Sequence, residues 1–60
     1  QDGALVPQYG RAVHDYFRGD FAAAESRLTA AIDAGFADPR GYYYRGLARL
    51  RLDRGEEPAP

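Results

Sequence analysis

Gly19-Asp20-Phe21-Ala22-Ala23-Ala24-Glu25-Ser26-Arg27-Leu28-Thr29-Ala30-Ala31 is the stretch from which the rest of the chain is read. Gly19 and Asp20 make a turn, and an apolar stripe begins at once. Phe21, Ala24, Leu28, Ala31 and Ile32 follow at steps of three, four, three and one, which places them on one face of a helix. Asp20 is a natural N-cap, since its carboxylate accepts from free backbone amides and meets the positive end of the helix dipole. Gly19 is the natural stop of whatever helix precedes it.

Working outward, Leu5, Val6, Tyr9, Ala12, Val13, Tyr16 and Phe17 repeat at three-four spacing and predict a first helix over about 6–18. Proline fits best in the first turn, so Pro7 sets the expected start and residues 1–4 read as a leader. Gly10 inside that helix marks either a close packing contact or a tolerated weak spot. The second helix is expected over 21–34, stopped by Gly35, with Phe36 folding back on Ala31 or Ile32. Asp38-Pro39 is a cap followed by proline at the first helical position, and opens a third helix over 39–54. In that helix Tyr43, Leu47 and Leu50 share one line, with Tyr44, Ala48 and Leu52 beside it. Gly55 ends it and residues 56–60 form a polar tail. The expectation is an all-α domain over residues 5–55: an antiparallel helical hairpin with a third helix packed on its second, and no strand.

Taken together, these features resemble the tetratricopeptide repeat, a helix-turn-helix unit of about 34 residues that stacks into a right-handed solenoid. Ala12 takes the small position of the first helix, and Gly19, Asp20 and Phe21 take the turn. Ala24, Leu28 and Ala31 take the second-helix positions. Pro39 opens the next first helix, where Gly46 and Ala48 match the small pair. Arg11 and Gln8 stand where that family prefers leucine and tryptophan, and Pro39 arrives about three residues late, through Ala34-Gly35-Phe36. The resemblance covers most of residues 9–52, one repeat plus a following first helix. It implies a protein-protein interaction role.

Composition limits the other possibilities. Sixty residues without cysteine exclude disulfides and thiolate metal sites, and His14 alone cannot build a metal cluster. No apolar run approaches a membrane span. All eight basic residues are arginine, and lysine, asparagine, methionine and tryptophan are missing, which suits a high-GC, bacterial coding sequence. A start at Gln1 fits removal of an upstream signal peptide, hence an extracellular or periplasmic setting, and fits a trimmed chain as well.

Repeat units normally need about three neighbours to bury their apolar faces. Copies of the same chain could supply them. Residues 1–38 carry three arginines against six acids, and residues 39–55 carry five arginines against Asp53 alone. Such a front and back would attract head to tail, and a heterologous contact that does not close propagates as a filament. The expected interface residues are Tyr9, Val13, Tyr16, Tyr42, Tyr43, Arg45, Arg49 and Arg51. Of the three successive tyrosines, two are expected to pack inward and Tyr42 to face out. A peptide-binding adaptor segment of a longer chain is the alternative, with Gln8, Arg11 and Asp15 on one strip. Nucleic-acid binding through the arginine-rich third helix is a third reading, opposed by the slightly acidic balance. His14, Asp15 and Tyr16 point to different helix faces and cannot converge for acid-base chemistry. Ser26 and Thr29 lack a base, and no phosphate loop or cofactor motif occurs. The chain therefore reads as non-catalytic, without cofactor or metal.

Overall fold

The computed structural model describes residues 2–56, with side chains from Leu5 onward. Among the described residues there are three helices and no strand: α1 over Asp2–Phe17, α2 over Phe21–Asp33 and α3 over Pro39–Asp53. α2 packs against both neighbours, while α1 and α3 run parallel and meet along a narrower seam.

Each helix ends in the same way. Gly19, Gly35 and Gly55 adopt φ of +91°, +107° and +74°, the left-handed region where a side chain is strained. In each case the glycine N–H reaches the carbonyl three residues back. The next N–H reaches the carbonyl five residues back, as in Asp20 to Asp15 (2.9 Å), Phe36 to Ala31 (3.0 Å) and Glu56 to Arg51 (3.0 Å). Helix starts are equally explicit. The Asp20 carboxylate accepts from the Ala23 N–H at 3.2 Å and that of Asp38 from the Arg40 N–H at 2.9 Å.

The core is built from small residues on α2 and its partners. Ala12, Ala24, Leu28, Ala31 and Ala48 are fully buried, so the backbones approach closely. Around them pack Tyr16 and Phe21, with Tyr44, Leu47 and Leu52 at the edge.

Two expectations need correction here. The first helix begins at Asp2, ahead of the start expected at about residue 6, and Pro7 lies inside it. Proline cannot donate to the carbonyl of Gly3, yet the turn persists because Leu5 is buried on the face it shares with Ala12 and Tyr16. The expected tail at 57–60 lies outside the described residues.

The second correction is the rotation of α3. Tyr43 and Leu50 face outward, while Gly41, Tyr44, Ala48 and Leu52 face inward. Phe36 sets this rotation. Its ring stacks on Tyr9 at 5.0 Å, and a Cβ on Gly41 would lie 3.0 Å from it. A Cβ there would make the ring give way by a few tenths of an ångström, and seating Gly41 against the ring carries Tyr44 and Ala48, three and seven residues on, into the core. Phe36 folds back with its N–H on the Ala31 carbonyl at 3.0 Å, and its ring lies between Tyr9 of α1 and Gly41 of α3. Only one of the three tyrosines packs inward.

Candidate interaction surface

Charged side chains first show which surfaces are already committed. Asp15 is 4% exposed, and its carboxylate accepts from Arg18 at 2.8 Å and from Arg27 at 2.7 Å. This joins α1 to α2 through a buried carboxylate whose two oxygens are both satisfied. Gln8 adds a bond to the Arg27 carbonyl at 3.2 Å. Two of the three residues of the expected peptide strip are therefore occupied within the chain, leaving Arg11 exposed. On the other side of α2, Glu25 accepts from Thr29 and from Arg49, both at 3.0 Å, and ties α2 to α3.

The arginines of α3 are similarly engaged. Arg40 grips Asp38 at 2.6 Å, Arg51 meets Glu56 at 2.9 Å, and Arg54 lies 3.8 Å from the same Glu56. Arg45 lies over the Tyr42 ring at 5.3 Å. Hydrogen bonds from the Arg40 side chain and backbone pull the Asp38 carboxyl down to about 2. In turn Asp38 pushes the Arg40 guanidinium up.

Of the described acids expected to make the front over residues 1–38, four are committed within the chain and Asp33 is exposed. Asp15 is buried, Asp20 and Asp38 are caps, and Glu25 is tied to Arg49. The exposed 7-11-14-18 line of α1 carries Pro7, Arg11, His14 and Arg18 instead.

An apolar surface is open as well. Tyr9, Tyr16 and Tyr44 line the α1–α3 seam, with Tyr44 5.6 Å from Tyr16 and 6.3 Å from Tyr9. Arg51 covers the Tyr16 and Phe21 rings at 5.8 and 5.4 Å, and Arg40 covers Tyr9 at 5.8 Å. Burial pushes the Tyr9 phenol up, against the opposing pull of Arg40. Phe17 and Tyr43 both stand against Tyr44, at 5.9 and 5.2 Å, so the outer rings of α1 and α3 meet on one side of the seam. Phe17 is 71% exposed, Val6 and Tyr43 are 61% exposed, and Leu50 is nearly half exposed. Val6, Val13 and Phe17 lie on one line of α1, and Tyr43, Leu47 and Leu50 on one line of α3. The two lines approach each other where Phe17 and Tyr43 both stand against Tyr44. Where α1 begins, Leu5, Val6, Gly35, Phe36, Ala37 and Asp38 enclose a depression of about 290 Å³.

The expected interface residues fall into four groups. Tyr42 and Tyr43 are exposed. Tyr9, Val13 and Arg45 are half-buried, and Arg49 and Arg51 are tied within the chain. Tyr16 belongs to the core. Gly46 is exposed, and a Cβ there would meet nothing within 4 Å. Phe17, Val6 and Leu50 were not nominated, yet they dominate the open face. A signal for them exists: the apolar pattern of α1 contains adjacent pairs at 5/6, 12/13 and 16/17, too wide for one contact face.

Among the described residues no three metal-ligating side chains gather, and no helix is long and apolar enough to cross a membrane. Comparison with protein-family models, with curated proteins and with solved structures finds no match to the chain.

Proposed function

We propose that this chain is a non-catalytic protein-protein interaction module of tetratricopeptide type that assembles with its own copies, head to tail, into a helical array. The observation that supports this reading is the apolar face across α1 and α3, where Val6, Phe17, Tyr43 and Leu50 stand in solvent while α2 is covered on both sides. Monomeric soluble proteins rarely leave such residues contiguous without a partner. The two lines of this face differ, valine and phenylalanine on α1 against tyrosine and leucine on α3. A contact in which the α1 line of one copy meets the α3 line of the next is heterologous, and such a contact propagates when it does not close. Electrostatic attraction between the ends adds little to the reading, because Asp15, Glu25 and Asp38 are already paired with Arg27, Arg49 and Arg40 within the chain.

Light scattering across a concentration series, with negative-stain microscopy of the same samples, tests it. Mass that grows with concentration, with elongated particles, is the expected result. A stable monomer at the highest concentration overturns self-assembly, and a mass that stops at a dimer overturns the head-to-tail arrangement.

A further inference from the structure

The described glycines divide by what requires them. Gly19, Gly35 and Gly55 take left-handed backbone, and Gly41 admits the Phe36 ring. Gly10 and Gly46 do neither. Both are exposed inside helices, and a Cβ on either would meet nothing within 4 Å. Each weakens its helix relative to alanine, and nothing within the chain offsets that loss. Both also lie in the open apolar lines. Gly10 falls between Val6 and Val13, and Gly46 between Tyr43 and Leu50, at helical spacings of three and four. A glycine so placed is a notch in an apolar ridge, where another helix can come close to the backbone.

We infer that Gly10 and Gly46 are the two sides of one intermolecular contact, in which α1 of one copy crosses α3 of another at these notches; the inference rests on the self-association proposed above. Two features select a second copy, joined α1 to α3. The notch on α1 has small rims, the two valines, and the notch on α3 has large ones, Tyr43 and Leu50, so unlike notches interdigitate. The charges beside them are also unlike. Arg11 and His14 follow Gly10 and Asp53 follows Gly46, all exposed and without an ion pair among the described residues. Arg45, the remaining α3 charge without an ion pair, turns to the Tyr42 ring. Setting α1 on α1 would oppose Arg11 to its own copy, whereas α3 presents Asp53.

Glutamine at either position keeps helix propensity, adds no charge and fills the notch. Gly10→Gln and Gly46→Gln are each expected to raise the folding equilibrium of the monomer by up to about fivefold, read in urea melts at low concentration. Each is nevertheless expected to lose association by about tenfold or more in sedimentation velocity. Mixed in equal amounts, the two variants are expected to form a complex that stops at two chains. The intact α1 of one meets the intact α3 of the other, and both outer ends are blocked. If wild type associates but either variant associates as tightly, or the mixture does not form and stop at that pair, the inference falls while self-association stands. A variant with a destabilised monomer also overturns it, since its glycine then serves the fold. A wild type that stays monomeric removes the reading on which it rests.

Discussion

The two sides of α2 and the α1–α3 seam are built from opposite materials. Against α2, the contacts with no exposed surface are alanines and one leucine, with Phe21 packed on Tyr16 at one end, and ion pairs cross to each neighbour: Arg27 to Asp15 and Arg49 to Glu25. Along the seam the contacts are aromatic rings, and the outermost of them face water. Small side chains allow close, rigid approach and leave nothing for a partner to grasp. Large rings bury only in part within so short a chain and keep area in reserve. Stability is thus concentrated around α2, and the capacity to bind is concentrated on α1 and α3.

The sharpest way to break this contrast is to cut each side and read stability. Leu28 is fully buried in α2, and Leu28→Ala is expected to cost about 2–5 kcal/mol. A domain of this size has a total of about 3–9 kcal/mol, so urea melts should show a largely unfolded chain. Leu50→Ala on the open face is expected to stay within about 0.5 kcal/mol. Equal losses at the two positions would show that the apolar face supports the fold and is not held in reserve.

Next comes the buried carboxylate. Asp15→Asn keeps the shape but weakens two charge-assisted bonds, at an expected cost of about 1–2 kcal/mol. The lower part of that range applies because Arg18 and Arg27 are half exposed and can rehydrate. A double-mutant cycle with Arg27→Gln should give a coupling of about 0.5 kcal/mol or more, measured by urea denaturation. No coupling would mean that the α1–α2 contact is carried by the alanines alone.

Three glycines in helices sharpen the comparison further. A Cβ at Gly10 or Gly46 meets nothing, so Gly10→Ala and Gly46→Ala should each stabilise the monomer by up to about 1 kcal/mol through helix propensity. At Gly41 the same gain meets the Phe36 ring at 3.0 Å, and Tyr9 stacked behind that ring limits its retreat. Gly41→Ala is therefore expected to lose most of the gain or reverse it, in thermal melts run side by side. A stabilised Gly41→Ala would show that the ring yields and that Phe36 does not fix the rotation of α3.

These glycines also show what the sequence made legible. Gly19, Gly35 and Gly55, with Asp20 and Asp38 behind the turns, marked the ends of helices because each acts on its own neighbours, and local chemistry is readable locally. The three-helix, strand-free fold follows from that punctuation and from the apolar spacing. The rotation of α3 was not legible, since Tyr43-Leu47-Leu50 and Tyr44-Ala48-Leu52 are equally good stripes. The choice between them depends on Phe36 reaching across to Gly41 and Tyr9. Asp15 presents Arg18 three residues on, but its partner Arg27 comes from the next helix, so its burial was hidden. Phe17 belongs to the same apolar pattern as buried Tyr16, and nothing near it in sequence shows that it is exposed. A pattern records that a residue is apolar, and only the positions of the other helices decide whether it is covered.

The smallest effect expected lies where the tied side and the open side join. Asp38 caps α3 and grips Arg40, and the Arg40 guanidinium lies over the Tyr9 ring in the seam. Its carboxyl falls from an ordinary 3.8 to about 2, so folding favours the ionised form. The contribution is fully present above pH 3.8 and is lost as pH falls through about 2, since the unfolded chain takes up its proton first. Asp38→Asn keeps a capping oxygen and removes the titration. Urea midpoints of wild type and Asp38→Asn should therefore differ by a constant gap near neutral pH that closes as pH falls through that acid window. A tyrosine signal in near-ultraviolet circular dichroism should shift over the same window as Arg40 leaves Tyr9. A gap that does not depend on pH would place the role of Asp38 in its hydrogen-bonding shape and not in its charge, and would separate the cap of α3 from the electrostatics of the seam.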